Sequence, residues 1–128
     1  ADQYDDVFAL RNHLTEWFRG WSMCGEENLS VALAIFAVTK ADPKASIIAG
    51  VNWGRDTDCI AAMAAGLSGA LMGRGNIPQR WIDLVDEVTR DHEHTVSNRT
   101  MEEASRGLLD AVKANIQSVR DQIASIDI

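Results

Sequence analysis

Between Cys59 and Gly73 the chain carries no charged residue. Small residues recur every fourth position along it, with Ala62, Gly66 and Ala70 in one row and Ala61, Ala65 and Gly69 in the next. Residues four apart lie above one another on a helix, so each row makes a smooth strip. A strip without bulky side chains lets a neighbouring backbone come close. The segment is therefore expected to form a helix, Thr57 to Leu71, at the centre of a helical bundle. It is too short for a bilayer, which needs about 20 apolar residues.

The remaining segments also read as helix or turn, and none alternates apolar and polar residues as a strand would. Val7, Leu10, Leu14, Trp17 and Trp21 predict an amphipathic helix over residues 4–22, broken by Gly25. Glu26 to Thr39 is apolar on most sides and reads as a buried helix. Asp42-Pro43 supplies an N-cap and a proline at the first helical position, opening a short helix that ends before Gly54. Asn76-Ile77-Pro78 starts another, expected to bury Trp81, Leu84, Val85 and Val88. Leu109, Val112, Ile116, Val119 and Ile123 keep a three–four spacing along a last helix, Met101 to Ile126. That seam is shorter than a coiled coil requires. Docking on the chain's own core is the plain expectation for it, and a dimer seam the sharper one. The fold expected is all-α, a compact bundle of about six helices. Residues 1–90 form its core, 91–100 a polar linker, and 101–128 a helix packing on the core or on a partner.

A chain of 128 residues can bury about two-thirds of its unfolded surface, enough for a core. Its net charge of −7 and the lack of any basic stripe argue against nucleic acid as a partner. Acidity is compatible with a cation site. No signal-peptide or membrane-spanning pattern is visible, and Cys24 and Cys59 do not make a disulfide framework, so the cytoplasm is the expected compartment. The chain opens on Ala1 rather than Met, as a processed chain or a piece of a longer one would.

Chemistry concentrates in Asn52-Trp53-Gly54-Arg55-Asp56-Thr57-Asp58-Cys59. Two carboxylates stand two residues apart at the mouth of the uncharged helix. Hard divalent cations such as Mg²⁺ take oxygen ligands and are commonly held through one or two carboxylates. The plainer reading has Asp56 or Thr57 capping the helix and Asp58 complementing its dipole. Trp53 either stacks on an adenine or ribose or packs the loop against the bundle. Arg55 either meets a substrate phosphate or pairs with a nearby acid. Elsewhere, His92 and His94 flank Glu93, a sequence that reads more simply as solvated linker than as a metal site. Glu26, Glu27 and Asn28 are accounted for by capping and dipole effects, and Asp5 and Asp6 as helix-start charges.

Residues 51–85 resemble the C-terminal part of the ADP-ribosylglycohydrolase family. The likeness rests on the Gly-x-Asp-Thr-Asp signature at Gly54 to Cys59, the Ala/Gly-rich helix Ile60 to Gly73, and the turn Ile77-Pro78-Gln79-Arg80-Trp81. Residues 25–38 resemble the helix that precedes the signature. The resemblance implies an all-helical fold and hydrolysis of the bond between ADP-ribose and a protein side chain, often arginine or serine. It also implies a pair of Mg²⁺, or sometimes Mn²⁺, ions. Asp56 and Asp58 correspond to signature ligands, and Cys59 occupies the position of a ligating Thr or Ser. Trp53, Gly54 and Arg55 fall where substrate contacts are expected.

The chain departs from the family pattern in three places. Cys59 offers a thiol, a poor ligand for a hard ion: it either leaves its place at the metal to water or is only a small buried hydrophobe, the preferred reading, with weaker metal affinity expected. Arg55 stands where many members have a second glycine. No Thr-Asp-Asp-Thr motif is present, so part of the ligand set and the water-activating acid are missing, and no catalytic residue is assigned. The expected function is that of a fragment or subunit of such a hydrolase, acting on an ADP-ribosylated protein or other ADP-ribose conjugate. It would be completed by an N-terminal half or by self-association. The alternative is a non-catalytic structural or interaction module that keeps part of the fold.

Overall fold

The computed structural model describes residues 6–18, 20, 24–91 and 98–126. They form α1 (Val7–Thr15), α2 (Gly25–Val38), α3 (Pro43–Trp53), α4 (Thr57–Met72), α5 (Gln79–Asp91) and α6 (Met101–Ala124). No strand occurs among the described residues, so the all-α expectation is borne out. None of these helices is long and apolar enough to cross a membrane. The chain divides into two compact units, residues 1–78 and 79–128. Most of the 91–100 segment, His92, Glu93 and His94 included, lies outside the described residues.

Local signals account for most helix ends. The Asp6 carboxylate accepts from the Ala9 amide at 3.0 Å and caps α1. Asp42 does the same for α3 through Ala45, ahead of Pro43. α1 is shorter than the predicted 4–22 span. It ends at Thr15, whose hydroxyl turns back to donate to the Arg11 carbonyl at 2.9 Å. Trp17, expected on the apolar seam, is 74% exposed, and Trp21 lies outside the described residues. α4 stops at Gly73, whose φ of +69° an L residue rarely adopts.

In the first unit, Leu10, Val31, Ala32, Ile35, Ala49, Trp53, Ile60 and Ala64 form the core. α3 and α4 meet at their closest point through Gly50 and Ala61. A Cβ added at Gly50 would lie 2.4 Å from the Ala61 Cα. The close approach expected of the small-residue rows thus occurs at Ala61 alone, and neither row as a whole faces α3. α4 buries Ile60, Ala61, Ala64 and Ser68, whereas a Cβ at Gly66 or Gly69 would meet open space. Burying Ile60 removes more apolar surface than burying alanines, so the helix turns that face inward. A buried chain of hydroxyls ties three helices together. Ser46 and Ser68 share a hydrogen bond at 2.7 Å, and Ser46 and Thr39 another at 2.8 Å.

In the second unit, Thr100 and Glu103 form a reciprocal capping box at the start of α6. The bonds from Thr100 hold the Glu103 carboxyl below its usual range. α5 meets α6 near this cap, where the Met101 amide donates to Asp86 at 2.8 Å. Of the residues expected to be buried on α5, Leu84, Val85 and Val88 stand exposed and Trp81 is half-buried. No residue of α6 is buried either, and its seam from Leu109 to Ile123 is open. Within this unit the helices join at their facing ends, so their apolar faces do not pack on each other.

The Gly50–Ala61 approach yields a paired prediction. Gly50→Ala forces two backbones apart and should cost about 1–3 kcal/mol in chemical denaturation. Gly66→Ala meets no neighbour and should be neutral or stabilising by up to about 1 kcal/mol. Equal effects at the two positions would refute the packing described.

Candidate metal centre

The carboxylate pair sits on the turn between α3 and α4, and the turn is held from three sides. Below it, Trp53 is 1% exposed and fixes the end of α3 in the core. Gly54 follows with φ +87°, and a Cβ there would come 3.1 Å from the Arg11 Nη2 of α1. Arg55 also has positive φ, +62°, an uncommon conformation for a residue with a Cβ. Its guanidinium holds it there. Nε donates to Glu27 Oε1, Nη2 donates to Glu27 Oε2 at 2.9 Å, and Nη2 also reaches the Gly20 carbonyl at 2.9 Å. This fork-to-fork pairing with a Glu27 only 3% exposed raises the arginine's pKa above its ordinary value.

Asp56 occupies the N-cap position of α4, but its side chain makes no capping bond. Its carboxylate instead accepts from Asn28 Nδ2, at the first turn of α2. Asp58 lies in the first turn of α4, and Cys59 is the next residue. One ligand atom from each of Asp56, Asp58 and Cys59 lies within 4.8 Å of the others. This is the one such group among the described residues. Asn28's bond, aided by the Cys59 thiol, holds the Asp56 carboxyl below the usual carboxylate range despite partial burial. The converse holds at Cys59, where the bond to Asp56, burial and the two carboxylates push the thiol up. Cys59 is therefore a neutral donor to Asp56 at physiological pH.

The site residues predicted from sequence divide accordingly. Asp56, Asp58 and Cys59 come together. Trp53 is packed into the core and offers no face to a ligand, because the first unit has few other large side chains to fill its centre. Arg55 pairs with an acid, and Gly54 shapes the turn. Three residues were missed. Glu27 and Asn28 looked like ordinary helix-start residues, and their partners lie 28 positions along the chain. Arg11 of α1 was not singled out. No local pattern marks such pairings, although two polar residues opening an otherwise apolar helix was a signal available to read.

A family comparison matches residues 2–116 to the description ADP-ribosylglycohydrolase. The chain belongs to the ADP-ribosylglycohydrolase family. Comparison with curated proteins and with solved structures returned no match. The family is one of metal-dependent hydrolases acting on ADP-ribosylated substrates. The residues here fit a hard divalent ion in donor chemistry. Two carboxylates bring ligand oxygens within 4.8 Å of one another, and Asn28, which bonds Asp56, has a buried Oδ1 without a hydrogen-bond partner. The neutral thiol of Cys59 is the discordant member.

Three outcomes are expected. The lowered Asp56 value contributes stability that is present above the ordinary carboxylate range and lost as pH falls through it. Asp56→Asn should therefore flatten the acid limb of a thermal-midpoint profile between about pH 2 and 5. The same substitution removes the acceptor that keeps the thiol protonated, so alkylation of Cys59 at about pH 8 should accelerate. An unchanged rate would show that Asp56 does not hold the thiol. For the ion pair, Arg55→Ala should lower the thermal midpoint more than Glu27→Gln combined with Arg55→Ala, because the single change strands a buried carboxylate.

Proposed function

We propose that Asp56 and Asp58 are one part of the divalent-metal site of a hydrolase that cleaves the glycosidic bond between ADP-ribose and a protein side chain. Mg²⁺ is the expected ion, with Mn²⁺ a substitute, and a complete site would take two ions. When bound, such a pair supplies an activated water and stabilises charge on attacking and leaving atoms. The chain's own residues prepare the ligands. Asn28 orients Asp56, and the Glu27–Arg55 pair holds the turn in its left-handed conformation. Cys59, as a neutral thiol, leaves its position at the metal to water. The remaining donors would come from a segment carrying the family's Thr-Asp-Asp-Thr motif, whether an N-terminal half or a second polypeptide.

The observation that carries this reading is the orientation of Asp56. A carboxylate at an N-cap ordinarily bonds to the first-turn amides. Here it is drawn off that role and set beside Asp58. The test is calorimetric titration with Mg²⁺ and Mn²⁺, using Asp56→Asn and Asp58→Asn as controls. Binding that either substitution weakens at least about tenfold is the expected result. Wild-type binding that persists unchanged in both variants would sink the assignment.

A second reading, a non-catalytic structural or interaction module, is favoured by one observation. Trp53 and Arg55, two of the three residues expected at the substrate, are consumed by the core and by Glu27. Supplying a polypeptide with the Thr-Asp-Asp-Thr motif separates the two. ADP-ribosyl hydrolysis that disappears in Asp58→Asn supports the enzyme, and inactivity of the reconstituted pair supports the module.

A further inference from the structure

Asn28 is 4% exposed, and its Oδ1 has no hydrogen-bond partner although it is buried. Leaving a buried acceptor unmade costs free energy that the fold has no structural reason to bear at this position. The other half of the same carboxamide is bonded to Asp56 Oδ2. The planar amide group therefore keeps its unused oxygen close to the Asp56 carboxylate. A hard cation there would keep several of its waters, each presenting hydrogens to nearby acceptors. An amide oxygen suits that need, being neutral, so it adds no repulsion to two carboxylates already close together.

We propose that Asn28 is a working member of the cation site. Its Nδ2 positions Asp56, and its Oδ1 accepts a hydrogen bond from a water carried by the bound ion. The inference rests on the metal reading above and adds to it a residue outside the Gly-x-Asp-Thr-Asp signature. Asn28 acts through Asp56 and through water, so it is a positioning residue.

The test uses Asn28→Leu, which keeps the side chain's approximate size and removes both polar atoms. Mn²⁺ affinity, read from the free-ion electron paramagnetic resonance signal, should fall about 10- to 100-fold, as for other outer-shell partners. The thermal midpoint without metal should change little, because losing the bond to Asp56 and removing the unpaired oxygen act in opposite directions. The wild-type shift to higher midpoint on adding Mn²⁺ should shrink with the affinity. A residue that only supports the fold would show the reverse, a lowered midpoint with metal affinity kept, and that result overturns the proposal. If Asn28→Leu does not fold, the wild-type chain decides. The Asn28 side-chain amide resonances should shift on Mg²⁺ titration, and their failure to move while Mg²⁺ binds overturns the proposal. Unchanged Mn²⁺ affinity in a folded Asn28→Leu removes Asn28 from the site and leaves the Asp56–Asp58 reading standing. A wild-type chain that binds neither ion removes both.

Discussion

Two neighbouring side chains at the start of α2, Glu27 and Asn28, reach across to the turn that leads into α4, and the geometry of the acidic pair depends on them. Arg55 adopts a backbone conformation that costs an L residue energy, and a bidentate bond to a buried carboxylate holds it there. Asp56 follows at the N-cap and is turned from the helix amides by Asn28. Without Glu27 the turn would lose its anchor. Without Asn28 the carboxylate would have its ordinary capping role available. Adjacent residues on one rigid helix thus set both the backbone and the side-chain state of the candidate site.

That arrangement in turn requires α2 and α4 to lie at a defined separation. The α3–α4 contact provides it, because Gly50 lets Ala61 approach to a distance no larger residue allows. Trp53 fills the space beneath the turn, and the Thr39–Ser46–Ser68 hydroxyls tie the far ends of the same helices. Every hydroxyl in that chain has a partner, so its burial brings registry without an unsatisfied group. Against this background two buried side-chain atoms among the described residues lack a partner, Arg11 Nε and Asn28 Oδ1, whereas the buried Glu27, Ser46 and Ser68 are satisfied.

Much of this was legible in the sequence. Asp42-Pro43 marked the start of α3, the uncharged run marked α4, and Gly73 its end, because caps and periodicity act over a few residues. The acidic pair was legible too, since its spacing and its place before a helix are local. What escaped were facts set by tertiary distance. The rotation of α4 was read from its glycines, but Ile60 decides it, and only the packing of α3 against that face reveals this. The span of α1 was overestimated because Trp17 continues the apolar period beyond the point where the backbone turns. Trp53 was legible as two alternatives, and the choice between them depended on how little else fills the core. Glu27 and Asn28 carried no sign that their partners lay on another helix.

The exposed apolar residues bear on how the site would be completed. On α2, Val31, Ala32 and Ile35 are buried, yet Leu29 and Leu33, four residues apart on one face, are about half exposed. On α4, Leu67 and Leu71 repeat the pattern. A helix apolar on two sides belongs between two neighbours, and such exposed faces mark where another surface packs. α2 is also the helix that presents Glu27 and Asn28 to the acidic pair. A segment laid against its open face would therefore pack on the element that orients Asp56. Apolar burial would supply most of the association free energy, and the ligands it carried would arrive at carboxylates already held in place. The division of labour follows from this. On the proposed reading, the described residues contribute an acidic pair already held in place, and a segment packed on that face would contribute the remaining donors.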